Sequence, residues 1–252
     1  MEKSKIFLVT GVTSGFGNAI ARRVVKDGGK VIGTGRREER LETLQKELGN
    51  DRFLPLLFDV RDHAAVDTAV QSIPESWQEI DVLVNNAGLA LNTETADKVP
   101  FEDWERMIDT NIKGLLYVTR ALLPGMQRRG SGYIVNIGSM AGNYAYKGGN
   151  VYGGTKAFVK QFSLNLRADL LGAPIRVTNL EPGLAETEFS LVRFHGDKAK
   201  ADDVYKGAEP LKPEDIAECV AWCASLPPHV NINRMEIMPV CQAPGGLAIG
   251  RK

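Results

Sequence analysis

The sequence predicts one α/β domain, a doubly wound parallel sheet of about seven strands with helices on both faces. Three observations carry this expectation. Apolar runs and amphipathic windows alternate along all 252 residues, the order that strand–helix–strand units impose. The runs show little in–out alternation, as expected of strands buried on both faces. The first run also passes directly into a Gly-rich turn, "TGVTSGFG" at 10–17, that opens a helical window. The length suits a single domain spanning 1–252, with a core that needs no covalent or metal staple.

The strand-like runs, in order, are 5–10, 30–35, 52–58, 80–85, 132–138, 175–180 and 234–240. The amphipathic windows between them are 15–28, 37–49, 62–73, 101–128, 150–171 and 213–225. No linker, charge block or internal repeat interrupts the series. One long irregular piece remains, at about 183–210, and a piece of that length in a compact domain reads as a lid or substrate loop. The Gly-rich tail "QAPGGLAIGRK" is expected to pack on a neighbour or fray.

Composition narrows the function classes. Thirty-one basic residues balance thirty-one acidic ones, so bulk charge offers no reason to expect nucleic acid or an acidic membrane as partner. No run approaches membrane-spanning length, and the apolar start is too short for a signal peptide, so a cytoplasmic protein is expected. Cys219, Cys223 and Cys241 form no disulfide framework, and the first two read as small buried apolar groups. His63, His195 and His229 have no metal-ligand spacing, so no metal is expected.

The chemistry-bearing motifs fall at the ends of the predicted strands. Gly11, Gly15 and Gly17 would let the backbone turn tightly and approach a pyrophosphate at a helix N-terminus, with Val12, Thr13, Ser14 and Phe16 completing the turn. After the second strand, where an acid would hold a ribose 2′-hydroxyl, the chain has Gly35, Arg36 and Arg37. Two guanidiniums there suit a 2′-phosphate. The plainer alternative, a solvated helix start, sets cations against the helix dipole. Asp59, with Val60 beside it, could bond an adenine amino group. "NNAG", with Asn86, Ala87 and Gly88, follows the fourth strand. Strand-end loops on one edge of a parallel sheet form its ligand crevice, so these motifs should converge.

Ser139 lies just past the fifth run, and thirteen residues on come Tyr152 and, four further, Lys156. Residues four apart share a helix face. A phenol near pKa ~10 is a poor base at neutral pH. Bringing it to about 7 requires about 4 kcal/mol, which a close ammonium and a cationic cofactor ring could supply. Ser139 would then hold the substrate oxygen. Out of context such a Tyr-x-x-x-Lys pair is ordinarily a surface pair.

Together, "TGVTSGFG", "NNAG", Asn111 in "DTNIKG", Ser139, "YGGTK" and "PGLAET" resemble the classical short-chain dehydrogenase/reductase family over essentially the whole chain. The resemblance implies a Rossmann-type sheet of strand order 3-2-1-4-5-6-7 and NAD(P)-linked oxidoreduction. It implies Tyr152 as general acid/base and Lys156 as its pKa tuner and ribose ligand. Ser139 would orient substrate, and Asn111 would hold a water of a proton relay. Pro182, Gly183, Leu184 and Thr187 would flank the nicotinamide, and Arg36 and Arg37 match the NADP(H)-preferring pattern. Family members assemble through helices like 101–128 and 150–171, which implies a homotetramer. A cofactor-sensing protein without catalysis would typically lack the Tyr or Lys present here, and an epimerase would need a longer C-terminal part.

More narrowly, "EDWERMIDTNIKGLLYVTRALLPGM", "GGNVYGGTKAFVKQFSLNLRADL" and "LPPHVNIN" are similar to the 3-hydroxy acid dehydrogenases, also called serine or L-allo-threonine dehydrogenases. Their substrates are small alcohols carrying a carboxylate. Sulfoacetaldehyde reductases resemble the same branch and stand as the alternative. The chain departs from the 3-hydroxy acid pattern in "NYAYKGG", where Lys147 adds a cation, and after Gly183. The expected ligand of the acid group is Arg193 in the long loop, because a planar guanidinium binds a carboxylate or sulfonate in two places. Gln242 is a weaker candidate, possible also from a neighbouring subunit.

Overall fold

The computed structural model describes residues 4–245 and Ile249. The remainder of the Gly-rich tail lies outside the described residues. Seven strands form one parallel sheet: β1 (Ile6–Thr10), β2 (Lys30–Gly35), β3 (Phe53–Leu57), β4 (Val82–Asn85), β5 (Gly132–Ile137), β6 (Ile175–Pro182) and β7 (Arg234–Ile237). Their order is β3-β2-β1-β4-β5-β6-β7, as the resemblance implied.

The apolar runs of β1 show why the sheet is covered on both sides. Successive side chains of a strand point to opposite faces. Phe7 and Val9 join one core, with Ile20 and Val24 of α1 (Gly15–Lys26), Leu41 and Leu44 of α2 (Glu38–Leu48), and Ile216 and Val220 of α9 (Pro213–Ser225). Ile6 and Leu8 join the other core. There they meet Val66 of α3 (His63–Gln71), Val118 and Leu122 of α5 (Leu115–Arg129), and Leu166 of α6 (Asn150–Asp169). Each fully buried side chain of this kind stabilises the fold by about 1.5–3 kcal/mol. Cys223 is fully buried in the first core and Cys219 packs against it, as small apolar groups would.

Two elements differ from expectation. The window 101–128 is not one regular helix: α4 (Phe101–Ile108) and α5 are joined by a π-helical segment, Asp109–Gly114. Such bulges mark places where a helix yields to a local demand. Here the demand is Asn111, whose side chain bonds the backbone of Leu89.

The segment 183–210, read as irregular, carries two short helices, α7 (Glu188–Arg193) and α8 (Lys198–Asp203). Thr187 and Asp197 cap them, accepting from Phe189 N at 3.0 Å and Lys200 N at 3.1 Å. Six residues are too few to display a 3.6-residue period, so only the caps announced them. Among the described residues no helix is long and apolar enough to cross a membrane, and no His/Cys/Asp/Glu group could hold a metal ion.

Candidate active site

The C-terminal ends of β1, β2, β4, β5 and β6 open into one cleft of about 330 Å³. The glycine-rich turn forms its floor at β1. Gly11 sits at φ +74°, and its N–H and that of Val12 both donate to Thr34 O of β2, at 2.9 and 3.0 Å. A side chain at Gly17 would run into Gly11 O at 2.4 Å, so this glycine lets α1 approach the strand end. Ser14 is the N-cap of α1 but makes no capping bond. The first turn of α1 therefore presents unsatisfied amides, with the positive end of its dipole, to the cleft. That arrangement suits a pyrophosphate.

The expected adenosine side is more crowded with charge than expected. Arg36 and Arg37 both border the cleft. Arg37 donates to Thr13 Oγ1, to Ser14 Oγ at 2.8 Å, and to Glu188 at 3.0 Å. Arg40, one turn further along α2, reaches the same carboxylate at 2.8 Å. Asp59 and Val60 also line the cleft. Burial pushes the Asp59 carboxyl up, but hydrogen bonds from Arg61 and the nearby Arg36 outweigh that and hold it at about 2. Asp59 is therefore already engaged by two guanidiniums, rather than being held free for an adenine amino group.

"NNAG" works partly as a brace. The Thr10 hydroxyl accepts from Asn86 N and Ala87 N, and Asn86 Nδ2 returns a bond to Thr10 O at 2.8 Å. These bonds lock the ends of β1 and β4 together, and leave Asn86, Ala87 and Gly88 on the cleft wall.

Ser139, Tyr152 and Lys156 meet at the inner end. Ser139 follows β5 in extended conformation and lines the cleft, its Oγ accepting from Ala141 N at 3.1 Å. Tyr152 and Lys156 lie one turn apart on α6, 8% and 6% exposed. Lys156 Nζ donates to Ile137 O at 2.8 Å and stands 5.9 Å from the Tyr152 ring centre. Burial brings its ammonium down to about 8. Burial pushes the Tyr152 phenol up to about 12, while Arg193 and Ser139 favour the phenolate. The expectation that Lys156 pulls this phenol toward neutrality thus does not describe the protein alone: desolvation wins, and the guanidinium of Arg193 is the principal opposing charge.

Asn111 is 2% exposed. Its Oδ1 accepts from Leu89 N and its Nδ2 donates to Leu89 O and Thr155 Oγ1. Both amide hydrogens are thus used, and one Oδ1 lone pair is left for a water. Thr155 Oγ1 donates in turn to Tyr152 O at 2.8 Å, so this bond chain links Asn111 to the backbone of Tyr152.

Pro182, Gly183, Thr187, Phe189 and Val192 close the remaining side. Arg193 lies 5.3 Å over the Tyr152 ring and 5.1 Å over the Phe189 ring, and its Nε is buried without a hydrogen-bond partner. Gln242 and Leu184 are not on the cleft wall. Gln242 is buried behind it, accepting from Leu184 N at 2.7 Å and donating to Met140 Sδ. The candidate substrate ligand Gln242 is therefore a brace of the 183–184 turn, because both ends of its amide are already used within the chain. Lys147 is exposed.

Arg40, Arg61, Phe189 and above all Glu188 escaped the sequence reading. Glu188 directly follows the quoted "PGLAET", and Arg40 stands one helical turn after Arg36, so an opposite-charge search across the loop and α2 would have found the pair.

A parallel seven-strand sheet, an open helix N-terminus at the end of β1 and a buried Tyr–Lys pair beside Ser139 together define a dinucleotide-dependent oxidoreductase site. The family model for short chain dehydrogenase matches residues 5–196, and the chain belongs to that family. It is 60% identical over 247 residues to the NADP-dependent 3-hydroxy acid dehydrogenase YdfG of Salmonella typhi, covering 98% of this chain and 99% of the relative. It is 53% identical over 249 residues to the serine 3-dehydrogenase of Rhizobium radiobacter, at 99% of each. Among solved structures, the closed form of serine dehydrogenase complexed with NADP+ is similar at a TM-score of 0.94 and 57% identity, covering 98% of this chain and 100% of that one.

Proposed function

We propose that the chain is an NADP-dependent 3-hydroxy acid dehydrogenase, interconverting small acid-bearing alcohols such as serine, allo-threonine or 3-hydroxypropionate with their carbonyl forms. The residues fit NADP(H): the open N-terminus of α1 for the pyrophosphate, and Arg36 and Arg37 for the 2′-phosphate. When bound, the cofactor supplies or accepts the hydride. The chain handles the proton. Tyr152, a phenol at neutral pH and kept so more firmly by burial, gives its proton to the carbonyl oxygen in reduction, and its phenolate takes the hydroxyl proton in oxidation. Ser139 holds that oxygen. Lys156 and Asn111 fix the ring's surroundings, and Asn111 has one acceptor site to offer a relay water.

One observation carries the substrate class: the Nε of Arg193, buried and unpartnered in a guanidinium that otherwise meets Tyr146 and stacks against the Tyr152 ring. A buried N–H of a charged group left without an acceptor is costly, and a substrate carboxylate would satisfy it. Arg193→Ala should lower kcat/KM for malonate semialdehyde about ten- to a hundredfold while a neutral aldehyde of similar size is nearly unaffected. Sulfoacetaldehyde in the same panel separates a carboxylate from a sulfonate preference. An unchanged acid-to-neutral ratio would remove Arg193 from the site. The working assembly under this proposal is a cytoplasmic homotetramer, in which contacts between subunits would cover Phe101 of α4 and Leu171 just past α6, 64% and 82% exposed here. Light scattering on the purified protein tests that assembly.

A further inference from the structure

The residues around α7 hold more ionic contacts than substrate binding requires. This helix has six residues; its start borders the cleft at Glu188, and its last residue, Arg193, stacks on the cleft-lining Tyr152. At its start, Glu188 pairs with Arg40 at 2.8 Å and with Arg37 at 3.0 Å. At its end, Arg193 lies over Tyr152, some 8 Å away along the axis at the helical rise. Phe189 connects the two ends. Its ring stands 5.8 Å from Tyr152 and under the Arg193 guanidinium. The C-terminal end has its own ties: Asn92 N donates to Arg193 O at 2.9 Å, and His195 Nε2 meets the buried Asp103 at 3.1 Å. At the N-terminal end Glu186 N donates to Leu211 O at 2.9 Å just before the helix, and Glu188 is the side-chain tie of the first turn itself.

Arg37 and Arg40 are not equivalent partners. Arg37 borders the cleft, and the functional reading above assigns it to the cofactor's 2′-phosphate. Arg40 does not border that cleft. It donates to Thr13 O of the glycine-rich turn at 3.1 Å and to both oxygens of Glu188. A phosphate that engages Arg37 therefore leaves Arg40 with Glu188.

We infer that the Arg40–Glu188 pair is a positioning latch, which ties the first turn of α7 to the glycine-rich turn and thereby sets the Arg193–Phe189–Tyr152 stack that receives the substrate's acid group. The inference rests on the proposed function for the acid group, but the latch itself exists without substrate. Glu188 is 42% and Arg40 47% exposed at the side chain, so the pair is a modest clamp rather than a structural pillar. With the pair broken, the first turn keeps only the backbone bond of Glu186 to Leu211 and the Ser190–Tyr205 contact, and Phe189 gains freedom with it.

The test combines hydrogen exchange on the unliganded protein with steady-state kinetics. Glu188→Gln should speed amide exchange across residues 188–196 and raise KM for malonate semialdehyde about three- to tenfold, with the change falling in KM rather than kcat. Arg40→Gln should do the same, more weakly in the exchange of the unliganded protein, where Arg37 still holds the carboxylate, and by a similar factor of about three- to tenfold in KM, where the phosphate occupies Arg37. The charge-exchanged double variant Glu188→Arg/Arg40→Glu should recover at least part of both losses. Fluorescence titration with NADPH accompanies each variant. Wild-type exchange and KM in both single variants would overturn the latch. So would an effect of Glu188→Gln that Arg40→Gln does not share and the double variant does not relieve, because Glu188 would then act only against Arg37 or the phosphate. If Arg193→Ala leaves acid preference intact, the substrate reading fails, yet the exchange data still decide the latch.

Discussion

The floor and the rim of the cleft are built on opposite principles. The floor, Asn111, Thr155, Tyr152 and Lys156, is buried, and its polar atoms bond to backbone: Lys156 to Ile137 O, Thr155 to Tyr152 O, Asn111 to Leu89. The rim, Arg36, Arg37, Asp59 and Glu188, with Arg40 just behind it, is a quarter to half exposed, and much of its bonding is between side chains. In the floor every group has a fixed place, and desolvation shifts both Tyr152 and Lys156 toward their neutral forms. On the rim, charges are screened and can exchange partners as a ligand arrives. Losses in the floor should therefore appear in turnover and stability, and losses on the rim in binding.

The largest expected effect tests the floor. Tyr152→Phe removes only the hydroxyl that moves the proton, and should reduce kcat about 10²–10⁴-fold while NADPH titration stays near wild type. More than about a tenth of the wild-type rate would refute the acid/base assignment. Next comes the rim. Replacing Arg36 and Arg37 by Ala should weaken NADPH far more than NADH, by about tenfold or more, with exposure keeping each contact near the low end of about 1.5–3 kcal/mol. Equal weakening of both cofactors would show that these arginines do not read the 2′-phosphate.

Asn111→Ala sharpens the contrast, since it strips partners from Leu89 N and O inside the protein. A loss of about 1–3 kcal/mol in urea unfolding is expected, whereas Arg36→Ala should change stability by less than about 0.5 kcal/mol. A separate test concerns pH. Oxidation needs the Tyr152 phenolate and reduction needs the phenol. Because burial raises this phenol to about 12, alcohol oxidation should climb steadily from neutral to alkaline pH. Carbonyl reduction should show no such rise. An oxidative profile that is flat above neutrality would mean that the bound cofactor and Lys156 have already brought the phenol down.

The strands, the glycine-rich turn and the Tyr152–Lys156 pair were legible because each depends on local rules or on residues already close in sequence. Buried strands need apolar runs, a tight turn needs Gly11, and four-residue spacing on a helix puts Tyr152 beside Lys156. The resemblance added Asn111 and the strand order. The shape of the substrate side was not legible in the same way. Glu188 and Arg40 lie 148 residues apart, and their meeting depends on where α7 comes to rest. The π-helical segment at Asp109–Gly114 exists because Asn111 reaches Leu89, a contact that no helical periodicity records. Gln242 looked like a ligand by position but is taken up behind Leu184.

The electrostatics needed tertiary structure even more. From sequence, Lys156 was the charge that should govern Tyr152, yet burial of both groups and the stacking of Arg193 decide the balance. The amino-acid sequence by itself determined the fold class, the glycine-rich turn and the Tyr152–Lys156 juxtaposition, since propensity, periodicity and spacing act over a few residues. Tertiary structure alone decided which charges meet, which are desolvated and which helix borders the cleft beside Tyr152, because burial and long-range pairing are properties of the packed chain.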